Sequence, residues 1–482
     1  MTNAPIAVNP RREPAQKGEA PRESLAELAR RREGERYALH SKHLNEMWVR
    51  VLKTIGWDVG FVRGEGAYLY DRSGARYLDL MSGYGVFAIG RNHPKVRDAL
   101  IDVLNSQSPN LAQFDVSVLA GVLAERLLAH TPWLEKAFFS NSGAEAVEAA
   151  IKFARYATRR SGIVHCAHSF HGLTYGALSL NGDPIFRKGF GPLLPDTHEI
   201  PFDDLSALEA ALHDRDVAAF VVEPIQGKGV NIPKDDYLSG AAALCKNYGT
   251  LFVADEIQTG VGRTGKFLAI EHFGVEPDIV VLAKALSGGH APIGVTLTRE
   301  WIFNKVFDRM DRSVVHGSTF SKNDMAMAAA LATLEVLEDE NVIENAAAKG
   351  DRLLASLSKM AERYELVSAV RGKGMMIGVE FGPPKSLMLK ATWNLLEAAS
   401  SGLFGQLICI PLFKDHKILT QVAGHGNPTI KLLPSLTLTD EDCAWIERSF
   451  DQVIAEAHRA PSAVLSLGKT LAEHAIKARV SG

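Results

Sequence analysis

Short apolar runs, each stopped by a polar residue, mark the middle of the chain. Asp278-Ile-Val-Val-Leu-Ala runs into Lys284 and then Ala285-Leu286-Ser287-Gly288-Gly289. Val217-Ala-Ala-Phe-Val-Val-Glu223 before Pro224, and Thr250-Leu-Phe-Val-Ala-Asp255 before Glu256, end the same way. Runs this short and this rich in β-branched residues predict strands buried on both faces. From about Gly90 to Glu340 they alternate with helix-like segments, which predicts an α/β fold with a largely parallel sheet. The segment opened by Ser142-Gly-Ala-Glu145 repeats apolar residues at Val147, Ala150, Ile151 and Ala154, the spacing of one helix face, and its S-x-x-E start predicts a capping box.

The flanks read differently. Ser24 to about Thr54, rich in Glu, Arg, Leu and Ala, predicts a helix after a start with no folding pattern. Gly66-Ala-Tyr-Leu-Tyr-Asp71 and Ala75-Arg-Tyr-Leu-Asp79 alternate like the arms of a hairpin. After about Gly350 the pattern becomes helix, short strands and helix again, a smaller α+β unit. Ser401 to Pro428 reads as irregular, and a last helix is expected from Ala463 to Arg479. The expected division is a helical arm and hairpin at 1–89, a large domain at 90–348 and a small domain at 349–482.

Composition narrows the class. With 482 residues the chain can bury more than one core. A net charge of −3 gives no electrostatic reason to expect nucleic acid or an anionic membrane. No stretch approaches the ~20 apolar residues of a membrane span. The start lacks the apolar core of a signal peptide and carries acids unusual in a transit peptide, so a cytoplasmic protein is expected. Cys166, Cys245, Cys409 and Cys443 are too widely spaced for a metal-ligand or redox pair, and no metal is expected.

Lys284, Asp255 and Glu223 all fall at or just past strand ends, where open α/β sheets place their ligands. Singly, each is an ordinary strand cap. Together they form the protein half of pyridoxal-phosphate chemistry, a lysine that forms an imine beside an aspartate for the pyridine nitrogen. The helix starting at Ser142, Gly143 and Ala144 offers amide donors at its positive end, a seat for phosphate. Capping boxes without ligands are common, however. Phe170, in Phe170-His171-Gly172, can stack on a planar ring or pack as a core Phe beside a turn. Gln258 lies three residues past Asp255, within reach of a ring hydroxyl. Ser318-Thr319-Phe320 offers a hydroxyl and amides for phosphate, or is a surface turn.

Taken together, these motifs resemble the class III aminotransferases, pyridoxal-phosphate enzymes of fold type I, from about Tyr68 to Phe450. Tyr77-Leu-Asp-Leu-Met-Ser-Gly83, Gly90-Arg-Asn-His-Pro94, Asn141-Ser-Gly-Ala-Glu145, Phe170-His-Gly172, Glu223-Pro-Ile-Gln-Gly227, Asp255-Glu-Ile-Gln258, Lys284, Thr319-Phe320 and Arg371-Gly-Lys-Gly374 carry the likeness in order. The resemblance implies a mostly parallel seven-stranded sheet in the large domain. It implies that Lys284 bonds to the cofactor and shuttles a proton, Asp255 pairs with the pyridine nitrogen and Phe170 stacks on the ring. Gly143 and Ala144 then bind phosphate, with Thr319 arriving from a second subunit, so a homodimer with shared sites is expected. Ser142, His171, Glu223 and Gln258 are further cofactor-binding candidates.

Two positions depart from the pattern. Many relatives that use glutamate or 2-oxoglutarate carry an Arg in R-x-x-P-P-L, and here Lys431-Leu-Leu-Pro434-Ser435-Leu436 stands there. They often carry Glu after E-P-I-Q-G, and here that residue is Lys228. Lys228 and Lys431 are therefore the candidate substrate residues. The expected reaction moves an amino group between an amine or aldehyde lacking an α-carboxylate (a diamine or longer apolar chain) and a small amino or oxo acid. The alternatives are an ornithine, acetylornithine or 4-aminobutyrate type of aminotransferase, or a related racemase, aminomutase, decarboxylase or phospho-lyase.

Overall fold

The computed structural model of the protein describes residues 23–112, 114–399, 403–424 and 428–459. The expected helix over 463–479 and the first ~20 residues lie outside the described residues. Of the described residues, those up to Gly60 form one compact unit and those from Phe61 onward another.

In the first unit the single expected helix is broken into Leu25–Arg32, Arg36–His43 and Glu46–Ile55. Asn45 causes one break, because its side chain leaves the helix to accept from the Trp48 amide at 3.0 Å and start the last helix. Gly56 ends that helix with a left-handed φ of 73°.

In the second unit the apolar runs form a seven-stranded sheet ordered Lys136–Ser140, Gly294–Thr298, Ile279–Leu282, Leu251–Asp255, Val217–Val222, Gly162–Cys166 and Thr197–Ile200. Only Gly294–Thr298 runs against its neighbours; the other pairings are parallel. Val217–Val222 is buried at every position, as helices on both faces require. The helix Gly143–Thr158 covers one face with Ala146, Val147, Ala150, Ile151 and Ala154, packed on Val221, Val253 and Val281.

Strand direction sets the rim. The carboxyl ends of Lys136–Ser140, Gly162–Cys166, Val217–Val222, Leu251–Asp255 and Ile279–Leu282 all face one side, and the start of Gly294–Thr298 joins them. A Cβ on Gly294 would lie 2.2 Å from the Ser142 carbonyl, so only glycine lets this strand begin against that turn.

The hairpin arms pair antiparallel as Tyr68–Asp71 with Arg76–Asp79, and a further strand, Phe61–Glu65, extends them. Ile418–Leu419 joins the same sheet parallel to Leu78 and Asp79. A separate sheet is ordered Val367–Lys373, Met376–Phe381, Thr429–Leu432, Gln421–Val422.

The expectation of irregular structure over 401–428 is corrected at Leu403–Lys414, which is helical and contains Pro411. Phe404, Leu407, Ile408, Ile410 and Leu412 on it are buried. They pack as core.

Candidate active site

Lys284 follows Ile279–Leu282 in a turn of 3-10 helix, Lys284–Ser287, with a left-handed φ of 39°. A residue with a Cβ holds such a conformation at a cost of roughly 1–3 kcal/mol, and only where its surroundings fix it. Its ammonium is pushed down by burial and partly restored by the fields of Asp255 and Glu223. It lines a cavity of about 470 Å³ together with Ser142, Gly143, Ala144, Phe170 and His171.

Asp255 is sealed from solvent behind that wall. One carboxylate oxygen accepts from the Ile257 amide at 3.0 Å, and the other lies 2.6 Å from His171 Nδ1. Burial opposes a charge on His171, but the bond to Asp255 and the fields of Asp255 and Glu223 outweigh it and lift His171 above its ordinary value. Asn181 fixes this turn, accepting from the His171 amide at 2.8 Å and donating to the Gly172 carbonyl at 2.8 Å.

Glu223 is also buried and accepts from the Phe170 amide at 2.9 Å and the Gly227 amide at 2.6 Å. Burial pushes its carboxyl up, against the pull of His171. The Phe170 ring meets Phe186 edge-on, centroids 5.4 Å apart.

At the helix start, Ser142 accepts from the Glu145 amide at 3.2 Å. The expected capping box is corrected on its return arm, because Glu145 accepts from the Asn141 amide at 2.6 Å and not from Ser142. The Gly143 and Ala144 amides have no bonded partner among the described residues, and both residues line the cavity. A Cβ on Gly143 would lie 2.8 Å from Ile257, and one on Gly172 would lie 2.7 Å from Ala144, so glycine keeps this corner open. Asn141 was missed as a candidate by itself; it lines the cavity and donates to Ser318 Oγ at 2.6 Å. Its place directly before the Ser142 cap was the available signal.

Besides the buried Asp255 and Glu223, four candidates do not line that cavity. Gln258 donates to the Tyr84 carbonyl at 3.1 Å and accepts from Lys431 Nζ at 3.1 Å. Lys431, on Thr429–Leu432, also donates to the Gly227 carbonyl at 2.6 Å and is 4% exposed. Lys228 turns to Asp183, 2.8 Å away, and its ammonium lies 4.5 Å over the Phe186 ring. Thr319 is exposed in the chain, beside the Ser318 that meets Asn141.

The walls fit pyridoxal phosphate. Free amides at a 16-residue helix's positive end suit a phosphate, a buried carboxylate backed by His171 suits a protonated ring nitrogen, and Lys284 faces the space between them. His171 Nε2, buried without a partner, marks a polar wall with capacity left over.

Fold type I pyridoxal-phosphate enzymes are the class that this sheet and its rim define. Within that class, residues 56–454 match the family model described as aminotransferase class III, and the chain belongs to that family of pyridoxal-phosphate-dependent transaminases. It is 39% identical over 415 residues to a putrescine aminotransferase of Pectobacterium atrosepticum, covering 83% of this chain and 84% of that one. It is 35% identical over 450 residues to the aminotransferase PigE of a Serratia species, covering 86% of this chain but only 53% of that longer protein. Among solved structures, an ornithine aminotransferase of Toxoplasma gondii, with pyridoxal phosphate at partial occupancy, superposes with a TM-score of 0.75 at 30% identity, covering 83% and 91% of the two chains.

Proposed function

We propose that this aminotransferase takes its amino group from an amine without an α-carboxylate, a diamine or a longer apolar amine, and passes it to a small oxo acid. One observation carries the reading: Lys431, at the position where the pattern of many glutamate-using family members has an arginine, is buried with two neutral acceptors and no carboxylate within ion-pair distance among the described residues. A lysine offers a point charge and not the planar fork that grips a carboxylate through two bonds. The likeness to a putrescine aminotransferase, named for a diamine, supports the same choice.

In this reading the cofactor supplies an aldehyde for covalent attachment and an electron sink. Lys284 would be the attachment point and would move the proton between carbons. Asp255 would hold the ring nitrogen protonated, with His171 fixing the carboxylate's orientation. Phe170, braced by Phe186, would pack against the ring. The Gly143 and Ala144 amides, with Ser142, would receive the phosphate, and Gln258 and Glu223 would lie toward the ring and the substrate.

The functional unit is a homodimer in which Thr319 reaches the partner's phosphate. Exposed Phe114, Val116, Tyr84 and Phe320 in the single chain support a covering surface. The division into 1–89, 90–348 and 349–482, and a cytoplasmic location, belong to the same proposal.

An ornithine-type activity is the competing reading, favoured by the likeness to the Toxoplasma enzyme. Single-turnover rates with the loaded enzyme separate them. Putrescine or a terminal alkyl amine should convert the cofactor faster than ornithine, acetylornithine or 4-aminobutyrate. The reverse order overturns the proposal.

A further inference from the structure

Lys431 Nζ has three N–H donors when charged and spends two of them, on the Gly227 carbonyl at 2.6 Å and Gln258 Oε1 at 3.1 Å. Both acceptors are neutral. The four charged groups that act on it come from three places: Lys284 after its strand, Glu223 and Lys228 on the Glu223–Lys228 turn, and Arg263 in a loop. Three are cations, and the one acid is itself pushed toward its neutral form by burial.

Two of those cations are fixed elsewhere. Lys228 is committed to Asp183 at 2.8 Å. Arg263 is buried, donates to the Met375 and Pro434 carbonyls at 3.2 and 2.5 Å, and has no carboxylate partner among the described residues. Burial above all, then Lys284, push the Lys431 ammonium down to about 7. Gln258 completes the geometry. Its nitrogen donates to the Tyr84 carbonyl, which holds its oxygen toward Lys431, where it can accept from either the charged or the neutral amine.

A diamine brings no carboxylate to the carbon that bears its reacting nitrogen, whereas an oxo acid brings one, so the site meets that anion in only one half of the cycle. An arginine stays charged throughout. We propose that Lys431 is neutral while the donor occupies the site and protonated while the acceptor's carboxylate lies against it. When the oxo acid enters, Nζ takes one proton from solvent, and it returns that proton when the amino-acid product leaves. No redox partner or co-reactant is needed. The inference rests on the reading above that Lys431 borders the substrate.

The test is propionate, a carboxylate with no amino or carbonyl group to react, titrated calorimetrically into the holoenzyme. Buffers of unlike ionisation heat report the protons taken up, and protons taken up at the cofactor are read separately from its visible absorbance. At pH 8 the native enzyme should take up about one proton per propionate bound, and Lys431→Arg close to none, because arginine is already charged. Above pH 7 native Kd should weaken by up to about tenfold per pH unit, while Lys431→Arg stays flat. Lys431→Gln should bind about tenfold or more weakly at pH 6.5. Uptake that is absent in the native enzyme, or equal in Lys431→Arg, overturns the switch alone. If Lys431→Gln binds propionate as tightly as the native enzyme, Lys431 does not meet the carboxylate and the reading of the substrate site falls with it.

Discussion

His171 Nδ1 stands 2.6 Å from Asp255 Oδ2, with both side chains sealed from solvent. A buried carboxylate held by a histidine and by the Ile257 amide cannot swing, so its charge is aimed before any ligand arrives. Preorganised charge of this kind commonly supplies 3–4 kcal/mol, so Asp255→Ala should keep binding cofactor and lose roughly 10²–10³ in kcat. His171→Ala removes only the orienting bond and should lose about tenfold, on the scale of a single charge-assisted bond. Steady-state rates alongside cofactor stoichiometry check both. An Asp255→Ala variant within about threefold of the native rate would refute the assignment.

Borohydride reduction of the holoenzyme, followed by peptide mapping, should leave a pyridoxyl group on Lys284. Lys284→Ala should take none. Labelling of another lysine in the native protein would displace Lys284 from its role.

Lys228 was a candidate substrate residue, but its ammonium is turned onto Asp183 and Phe186. It acts on the site through Phe186, whose ring braces Phe170. Lys228→Met and Asp183→Ala should therefore have similar effects on stability and combine non-additively, with a coupling of about 0.5–1 kcal/mol for a partly exposed pair. The oxo-acid KM of Lys228→Met should stay within about threefold of native. A tenfold rise would restore Lys228 as a carboxylate ligand.

Sharing of the site between subunits predicts complementation. Inactive Lys284→Ala chains mixed with inactive Thr319→Ala chains should form heterodimers holding one intact site, recovering up to about half the native activity per dimer. Proven heterodimers that stay inactive would place Thr319 outside the partner's phosphate site.

Lys431 also links stability to pH. Its folded pKa lies near 7, well below the 10.5 of an unfolded lysine, so the unfolded chain binds the extra proton between those values. Stability then rises with pH across that window, and below pH 7 the full cost is present. Lys431→Met lacks this contribution. The native-minus-variant stability should therefore shift toward the native enzyme from pH 7 to 10, by at most roughly 1.4 kcal/mol per pH unit. Urea unfolding at several pH values measures it, and a constant difference would mean that Lys431 keeps its proton when folded.

The parts of this molecule legible in its sequence are those fixed by local pattern. Lys284 and Asp255 each close an apolar run whose length and β-branching admit little besides a buried strand, so the rim followed from the strands. Leu403–Lys414 was not legible, because Pro411 and an apolar surface all round erase the helix period, and only burial on every side makes that sequence helical. The break at Leu44–Asn45 was hidden for the opposite reason: good helix formers continue across it, and a single capping side chain decides. Partners across the fold leave no trace in spacing. Nothing near Lys228 in the chain announces Asp183, and nothing near Lys431 announces Gln258.

The Ser435 hydroxyl and the Ala88 carbonyl that it caps are 347 residues apart in the chain. The Leu433 amide meets the Leu80 carbonyl at 2.7 Å in the same region, and Ile418 pairs with Leu78. During synthesis at about 5–20 residues per second, the Leu80–Ala88 stretch waits on the order of half a minute for those partners to emerge. Until then the Leu80 and Ala88 carbonyls lack those partners, while every strand of the seven-stranded sheet, the last ending at Thr298, has already emerged. Lys431 arrives in the same late segment. Lys284 and Asp255 are thus made well before Lys431, so in the proposed reading the residue that meets the substrate is the last of the candidate residues to emerge.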